Sequence, residues 1–160
     1  MMRLILIPAM ALLLAACQSA YYGAAEKVGY HKRDILVDRV EDSRDAQVDA
    51  EEQFQSALEQ LKALNNFDGG ELEDMYEKLA DEYEDSEEAA QEVRDRIDGV
   101  ENVAGALFKE WEQEIQEYSS ATLKADSQAK LRETRARYDA MLGALRKSEA
   151  KMDPVLAALK

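Results

Sequence analysis

Cysteine is almost absent from this chain of 160 residues: Cys17 is alone, so no disulfide can form within it. Histidine is as scarce, with His31 the one instance. Paired-histidine metal sites, Ser-His triads and di-iron bundles built on two Glu-x-x-His motifs need more than that. Only two prolines occur, Pro8 and Pro154, with seven glycines and no long Ser/Pro linker. Basic charge is short: 20 Lys and Arg stand against 34 Asp and Glu, a net −14. Such a charge keeps a chain soluble and repels nucleic acid and anionic headgroups, so neither is an expected partner. High charge can also mark disorder, but here the apolar residues are periodic. Abundant Ala, Glu, Lys, Leu and Arg point instead to long helices.

The strongest period begins at Leu72 and runs through Tyr76, Leu79, Tyr83, Ser86, Ala90, Val93, Ile97, Val100, Ala104, Leu107, Trp111 and Tyr118. Steps of four and three alternate throughout if Glu114 takes one polar slot, and neighbouring Ile115 hints at a phase slip. An average step of 3.5 residues is the coiled-coil period. At a rise of about 1.5 Å per residue such a helix is roughly 70 Å long. Asp68 and Glu71, three residues apart, suit its start as a capping box.

A weaker seam precedes it: Leu36, Val40, Ser43, Gln47, Ala50, Phe54, Ala57, Leu61 and Leu64. The polar joint from Asn65 to Gly70 makes these two helices antiparallel neighbours, with Leu64 facing Leu72 and Leu36 facing about Val100. Ser119-Ser120-Ala121-Thr122 then interrupts the pattern. A third seam takes Leu131, Thr134, Tyr138, Met141, Leu145, Ser148, Met152, Val155 and Leu159, with an expected helix start near Asp126 or Ser127. Pro154 should kink or loosen it. The expected fold is all-α, a long antiparallel coiled-coil bundle of about three helices.

Charge sorts by segment. Residues 68–118 hold 19 acids and four bases, while residues 119–160 hold nine bases and five acids. The third helix should therefore lie along the second, with Arg135, Arg137 and Arg146 as the cations. Folding back at Ser119 sets Leu131 against Tyr118 and Leu159 against about Ala90. Leu72, Tyr76, Leu79 and Tyr83 then meet the first helix alone. That strip calls for a continuation past Lys160 or for a second copy.

The amino terminus carries an address. Arg3 precedes an apolar run from Leu4 to Ala16, the layout of a secretory leader and too short for a permanent span. Leu14-Ala15-Ala16-Cys17 closes it as a lipobox. We expect cleavage before Cys17, with a diacylglycerol on the thiol and an N-acyl chain on the new terminus. Loss of Arg3 leaves 19 bases and a net charge of −15. Residues 1–16 are then the leader, 17–25 a lipidated tether and 26–160 the helical domain. Gln18 is not the Asp associated with inner-membrane retention, so the expected location is the outer membrane, facing the periplasm. Tyr21 and Tyr22 suit a membrane interface.

No residue pattern calls for catalysis, a metal or a bound cofactor. The acids Asp81, Glu82, Glu84, Asp85, Glu87 and Glu88 lie in a helix, without the spaced oxygens of a calcium loop. Asp34, Asp38, Glu41, Asp42, Asp45, Asp49 and Glu52 interleave with Arg33, Arg39 and Arg44 as a salt-bridged face. Trp111 falls on the seam and should be core. Phe108, one step off it, is the better candidate for an exposed partner contact.

The stretch from Glu26 to Val40 resembles an uncharacterised family of Gram-negative lipoproteins known only as a domain of unknown function. The likeness continues through Asn66-Phe67-Asp68-Gly69-Gly70 and the Glu-rich second helix. It implies a lipoprotein without assigned activity and supplies no catalytic or binding residues. Family members look longer at the C-terminus by a further helical segment. The leading expectation is a non-enzymatic spacer or scaffold that engages an envelope partner or a second copy. An acidic chaperone-like or cation-binding module for basic clients is the alternative.

Overall fold

The computed structural model describes residues 31–65 and 72–160. They form α1 (Lys32–Asn65), α2 (Leu72–Glu117), α3 (Ala121–Glu149) and α4 (Met152–Leu159), with no strand among the described residues. The all-α bundle is the expected one, with its third seam divided between α3 and α4. The expected leader, tether and Asp68–Glu71 capping box lie outside the described residues. None of the described helices is long and apolar enough to cross a membrane.

The 46 residues of α2 make a rod of roughly 70 Å, at about 1.5 Å per residue. α1 runs antiparallel to it. Lys32 Nζ meets Glu110 at 3.2 Å, Arg96 meets Asp42 at 3.6 Å and Gln53 Nε2 donates to Glu82 at 2.9 Å. Residue numbers fall on α2 as they rise on α1. Leu36 packs against Ala104 and Phe108, about a turn beyond the expected Val100.

α3 starts earlier than its seam suggests. Ser120 is its N-cap, with extended backbone (φ −84°, ψ 120°), and its hydroxyl accepts from the Leu123 N–H at 3.4 Å. The Ser pair that looks like a breaker is therefore a cap: its oxygen satisfies an N–H that has no partner within the helix. Trp111 Nε1 donates to Ser127 Oγ at 2.8 Å and ties the two sides of this hairpin.

The break between α3 and α4 falls at Ala150 and Lys151, and proline explains its position. The ring of Pro154 would strike the carbonyl of residue i−4, Ala150, and it offers that carbonyl no N–H. The Ala150 N–H bonds instead to Arg146 O at 3.0 Å and the Lys151 N–H to Ser148 O at 3.1 Å, tightening the last turn. Pro154 itself falls in the first turn of α4, where a missing N–H costs little. The change of direction lets α4 pack on α1 and α2 together.

The core lies along α2 in two stretches. In one, Ala90, Val93 and Ile97 meet Ala46 and Ala50 of α1 and Met152 of α4. The alanines allow close helix approach. In the other, Ala104, Phe108 and Ile115 meet Leu131, with Leu36 and Tyr138 alongside. Val93, Ile97 and Val100 are fully buried as their seam predicts. Beyond Val100 the seam moves: Phe108 and Ile115 are buried, whereas Leu107 and Trp111 are half-buried and Tyr118 is exposed. A straight α-helix drifts about 20° per heptad against a 3.5-residue repeat: the buried face stays in line, with Phe108 18 residues from Ala90 and Ile115 18 from Ile97, and the heptad positions Leu107, Trp111 and Tyr118 rotate off it. Phe108 is thus not the exposed contact that its offset suggested.

The α1 seam contains a weak point. Ser43 Oγ and Gln47 Nε2 are buried without a hydrogen-bond partner, an arrangement that opposes tight packing there. Ser86, buried on α2, donates its hydroxyl to Glu82 O at 2.7 Å and so escapes that cost.

Burial separates two apolar positions that look alike in the sequence. Ile97→Ala should cost roughly 2–5 kcal/mol, as for a filled core site, and Leu107→Ala clearly less, since its side chain already borders solvent. Thermal melts of the two variants measure this, and equal losses would contradict the drift of the seam.

Candidate functional site

The chemistry-bearing residues of the sequence are dispersed by this fold. Cys17, the expected lipidation site, lies outside the described residues, as do Tyr21 and Tyr22. His31 is exposed at the start of α1, where its carbonyl accepts from the N–H groups of Asp34 (2.9 Å) and Ile35 (3.1 Å). Its contribution here is backbone capping.

The acidic run on α2 divides. Glu82 is half-buried and accepts from Gln53 Nε2 and, at 3.0 Å, from Ser56 Oγ, which pins α1. Glu87 accepts from the Tyr83 hydroxyl at 3.0 Å. That bond to a carboxylate holds the Tyr83 pKa above its ordinary value. Asp81, Glu84, Asp85 and Glu88 face solvent. Among the described residues no three His, Cys, Asp or Glu side chains converge as metal ligands would. The charges of α1 form local pairs, Arg33 with Asp34, Arg39 with Asp42 and Arg44 with Asp45.

The contact between α2 and α3 concentrates charge more tightly. Arg146 reaches Asp98 at 2.5 Å, Glu101, and Glu149 on its own helix at 3.2 Å. The hydrogen bond to Asp98, with those to Glu101 and Glu149, raises the Arg146 pKa well above its ordinary value. It stays charged at any working pH. Arg135 pairs with Glu112 at 3.0 Å. Arg137, expected as a third cross-helix cation, instead pairs with Glu133 of α3 at 2.5 Å. α2 also lends a cation in the other direction: Arg94 meets Glu149 at 3.5 Å and Asp153 at 2.7 Å, spanning the α3–α4 break. Residue counts by segment suggest the attraction but not which arginine faces which acid.

An open apolar groove of about 410 Å³ lies on this side. α1 and α3 both pack on α2 but barely touch each other, and the groove is the space left between them. Leu36, Val37 and Val40 form one wall, Tyr138 and Met141 the other, with Leu107 and Phe108 as floor. Phe108 is held from beneath. Its ring meets Tyr138 edge-on at 5.3 Å and 73°, and the Arg135 guanidinium stacks over it at 4.9 Å. Burial, ahead of the nearby Glu101 charge, pushes the Tyr138 hydroxyl above its ordinary pKa. The groove was not legible in the sequence, because it depends on how two helices straddle a third. Its chemistry is that of a contact surface: apolar walls, rimmed by Glu41 and Arg137.

Arg146 is the best-connected cation of the bundle. Arg146→Ala should lower stability by about 1 kcal/mol, more than truncation of the locally paired Arg137. Thermal melts at low salt and near 1 M salt test the cause, because ions shorten the screening length to about 3 Å. The Arg146 effect should shrink in high salt. An effect equal for both arginines, or independent of salt, would contradict the cross-helix pairing.

No curated protein and no solved structure matches the chain. A family model described as "Protein of unknown function (DUF2959)" matches residues 21–160, which takes in every described helix and the stretches that carry the resemblance. The chain therefore belongs to this family of unknown function, DUF2959.

Proposed function

We propose that the protein is a non-enzymatic, lipid-anchored helical scaffold or spacer of the cell envelope. It is held at the outer membrane, facing the periplasm, by acyl chains on Cys17. The observation that carries the reading is the rod itself. A helix of 46 residues, roughly 70 Å at about 1.5 Å per residue, is clad by α1, α3 and α4. Its surface features are solvated charge and an open apolar groove. A rod of that length separates or joins things, and its faces suit helices of other chains.

The leader supports the anchor: Arg3, the apolar run from Leu4 and Leu14-Ala15-Ala16-Cys17 in sequence. Each buried methylene of an acyl chain contributes about 0.8 kcal/mol, so several chains hold a protein stably. The net charge of −15 without the leader suits a partner other than nucleic acid. No cofactor is needed beyond the covalent diacylglycerol and N-acyl chain.

Mass spectrometry of the mature protein decides the anchor. The expected N-terminal residue is Cys17, carrying a diacylglycerol and an N-acyl chain. An unmodified Cys17, or protein released from membranes without detergent, would contradict it. Cys17→Ser should release the domain while leaving its helical circular dichroism unchanged.

A further inference from the structure

Each end of α2 carries a pair of exposed apolar residues. At its start stand Leu72 and Tyr76, 57% and 67% exposed. The expected strip of four is thus two: Leu79 is buried, and Tyr83 is half-buried and bonded to Glu87. At its end, in the turn into α3, stand Tyr118 and Leu123, 39% and 60% exposed.

Charge separates the two pairs. Glu73, Asp74 and Glu77 stand exposed around the first. The turn from Tyr118 to Leu123 reads Tyr-Ser-Ser-Ala-Thr-Leu, without a charged residue in a chain that is 34% charged. It is bounded by one acid, Glu117, and one base, Lys124, whose Nζ donates to Gln116 at 3.0 Å. A lipid surface repels the acidic length of this chain but finds nothing to repel at the turn.

Connectivity separates them too. Lys32 Nζ meets Glu110 at 3.2 Å, so α1 begins beside the last turns of α2. Glu117 lies about 10 Å beyond that level, and Leu72 about 57 Å the other way, at about 1.5 Å per residue. From Cys17 to His31 there are 14 residue steps, which span at most roughly 50 Å at about 3.6 Å each. Acyl chains on Cys17 can thus hold the α2–α3 turn against the bilayer with slack to spare. A rod standing on its Leu72 end would need more tether than the chain has.

We infer that the α2–α3 turn is a membrane contact. Tyr118 and Leu123 enter the headgroup layer of the bilayer that holds the acyl chains, and α2 rises from it with Leu72 and Tyr76 at its outer end. The residues suit that depth. A tyrosine ring is apolar with a polar hydroxyl, and aromatic side chains favour the interface. The last carbonyls of α2 and the first N–H groups of α3 lack partners within their helices, apart from caps such as that of Ser120 on Leu123. They need water or headgroups, which keeps the turn out of the hydrocarbon. Two side chains bind weakly alone, but a short tether gives them a roughly millimolar effective concentration at the surface. The inference rests on the lipid-anchor reading and gives the rod its direction.

Spin labelling of the full acylated chain in vesicles of phosphatidylethanolamine and phosphatidylglycerol tests it. Cys17 is the one native cysteine, and acylation blocks its thiol. Leu123→Cys and Tyr76→Cys each then carry one nitroxide at an exposed position. At Leu123→Cys, collision with a water-soluble nickel chelate should fall severalfold relative to the Tyr76→Cys label, and collision with oxygen should rise. The Tyr76→Cys label should stay as accessible to nickel as in water. Adding Tyr118→Asp to Leu123→Cys should restore most of the nickel accessibility. Equal accessibility at the two positions, whether both wet or both shielded by a rod lying flat, would overturn the inference, as would no response to Tyr118→Asp. A wet Leu123→Cys label with Cys17 acylated removes the contact and leaves the anchor. An unmodified Cys17 in the mass spectrum removes the anchor, and the inference with it.

Discussion

Every other described helix makes its core contacts with α2, and the structure depends on that shared seam. Ala90, Val93 and Ile97 meet α1 and α4, and Ala104, Phe108 and Ile115 meet α3 with Leu36 of α1 alongside. Because α1 and α3 barely touch each other, neither supports the other directly. α2 must therefore present apolar surface to both while remaining one unbroken helix. Its most regular buried positions stay on one side of a straight helix, with Leu79, Ile97 and Ile115 each 18 residues apart, and Val100 and Val103 widen that face. The same arrangement leaves the groove between α1 and α3 open, so that concavity follows from the packing.

Electrostatics answers a difficulty the seam creates. The segment from Asp68 to Tyr118 holds 19 acids against four bases, and such a helix repels itself. Its neighbours bring the compensating charge at defined points: Arg146 between Asp98 and Glu101, Arg135 at Glu112, Lys32 at Glu110. Each pair is partly exposed and individually weak. Their sum matters more for choice of partner than for stability, since the most acidic face stays unattractive to a second acidic helix. Where α2 outruns α3 and α4, its acids stay in water apart from Glu82, which pins α1, and its apolar residues divide. Leu79 is covered, while Leu72 and Tyr76 are not.

Much of this was legible in residue spacing, and the failures have physical causes. The α2 seam from Leu79 to Val100 could be read because its steps carry apolar or small residues, Ser86 among them. At Leu107-Phe108 two apolar neighbours compete, and periodicity alone cannot say which turns inward once α3 takes over from the core around Ile97. Ser120 looks like a breaker in the sequence because an N-cap and a helix breaker share a residue type. Pro154 marked its break correctly, and the i−4 clash places the break four residues upstream. The attraction of α3 for α2 was visible in charge counts. The hub at Arg146 and the local diversion of Arg137 needed coordinates. The expected lipobox, in contrast, rests on a purely local pattern, and the helices add nothing to it.

The central claim is that α2 is the strut and the other helices are its cladding. Native-state hydrogen exchange, residue by residue, measures this most directly. Protection should peak in α2 between about Ala90 and Phe108, where burial is continuous, and should fall toward Leu72 and Tyr76. Amides of α1 and α3 should exchange through separate openings, each easier than that of central α2. Uniform protection across all helices, or an α2 centre less protected than α1 or α3, would contradict the account.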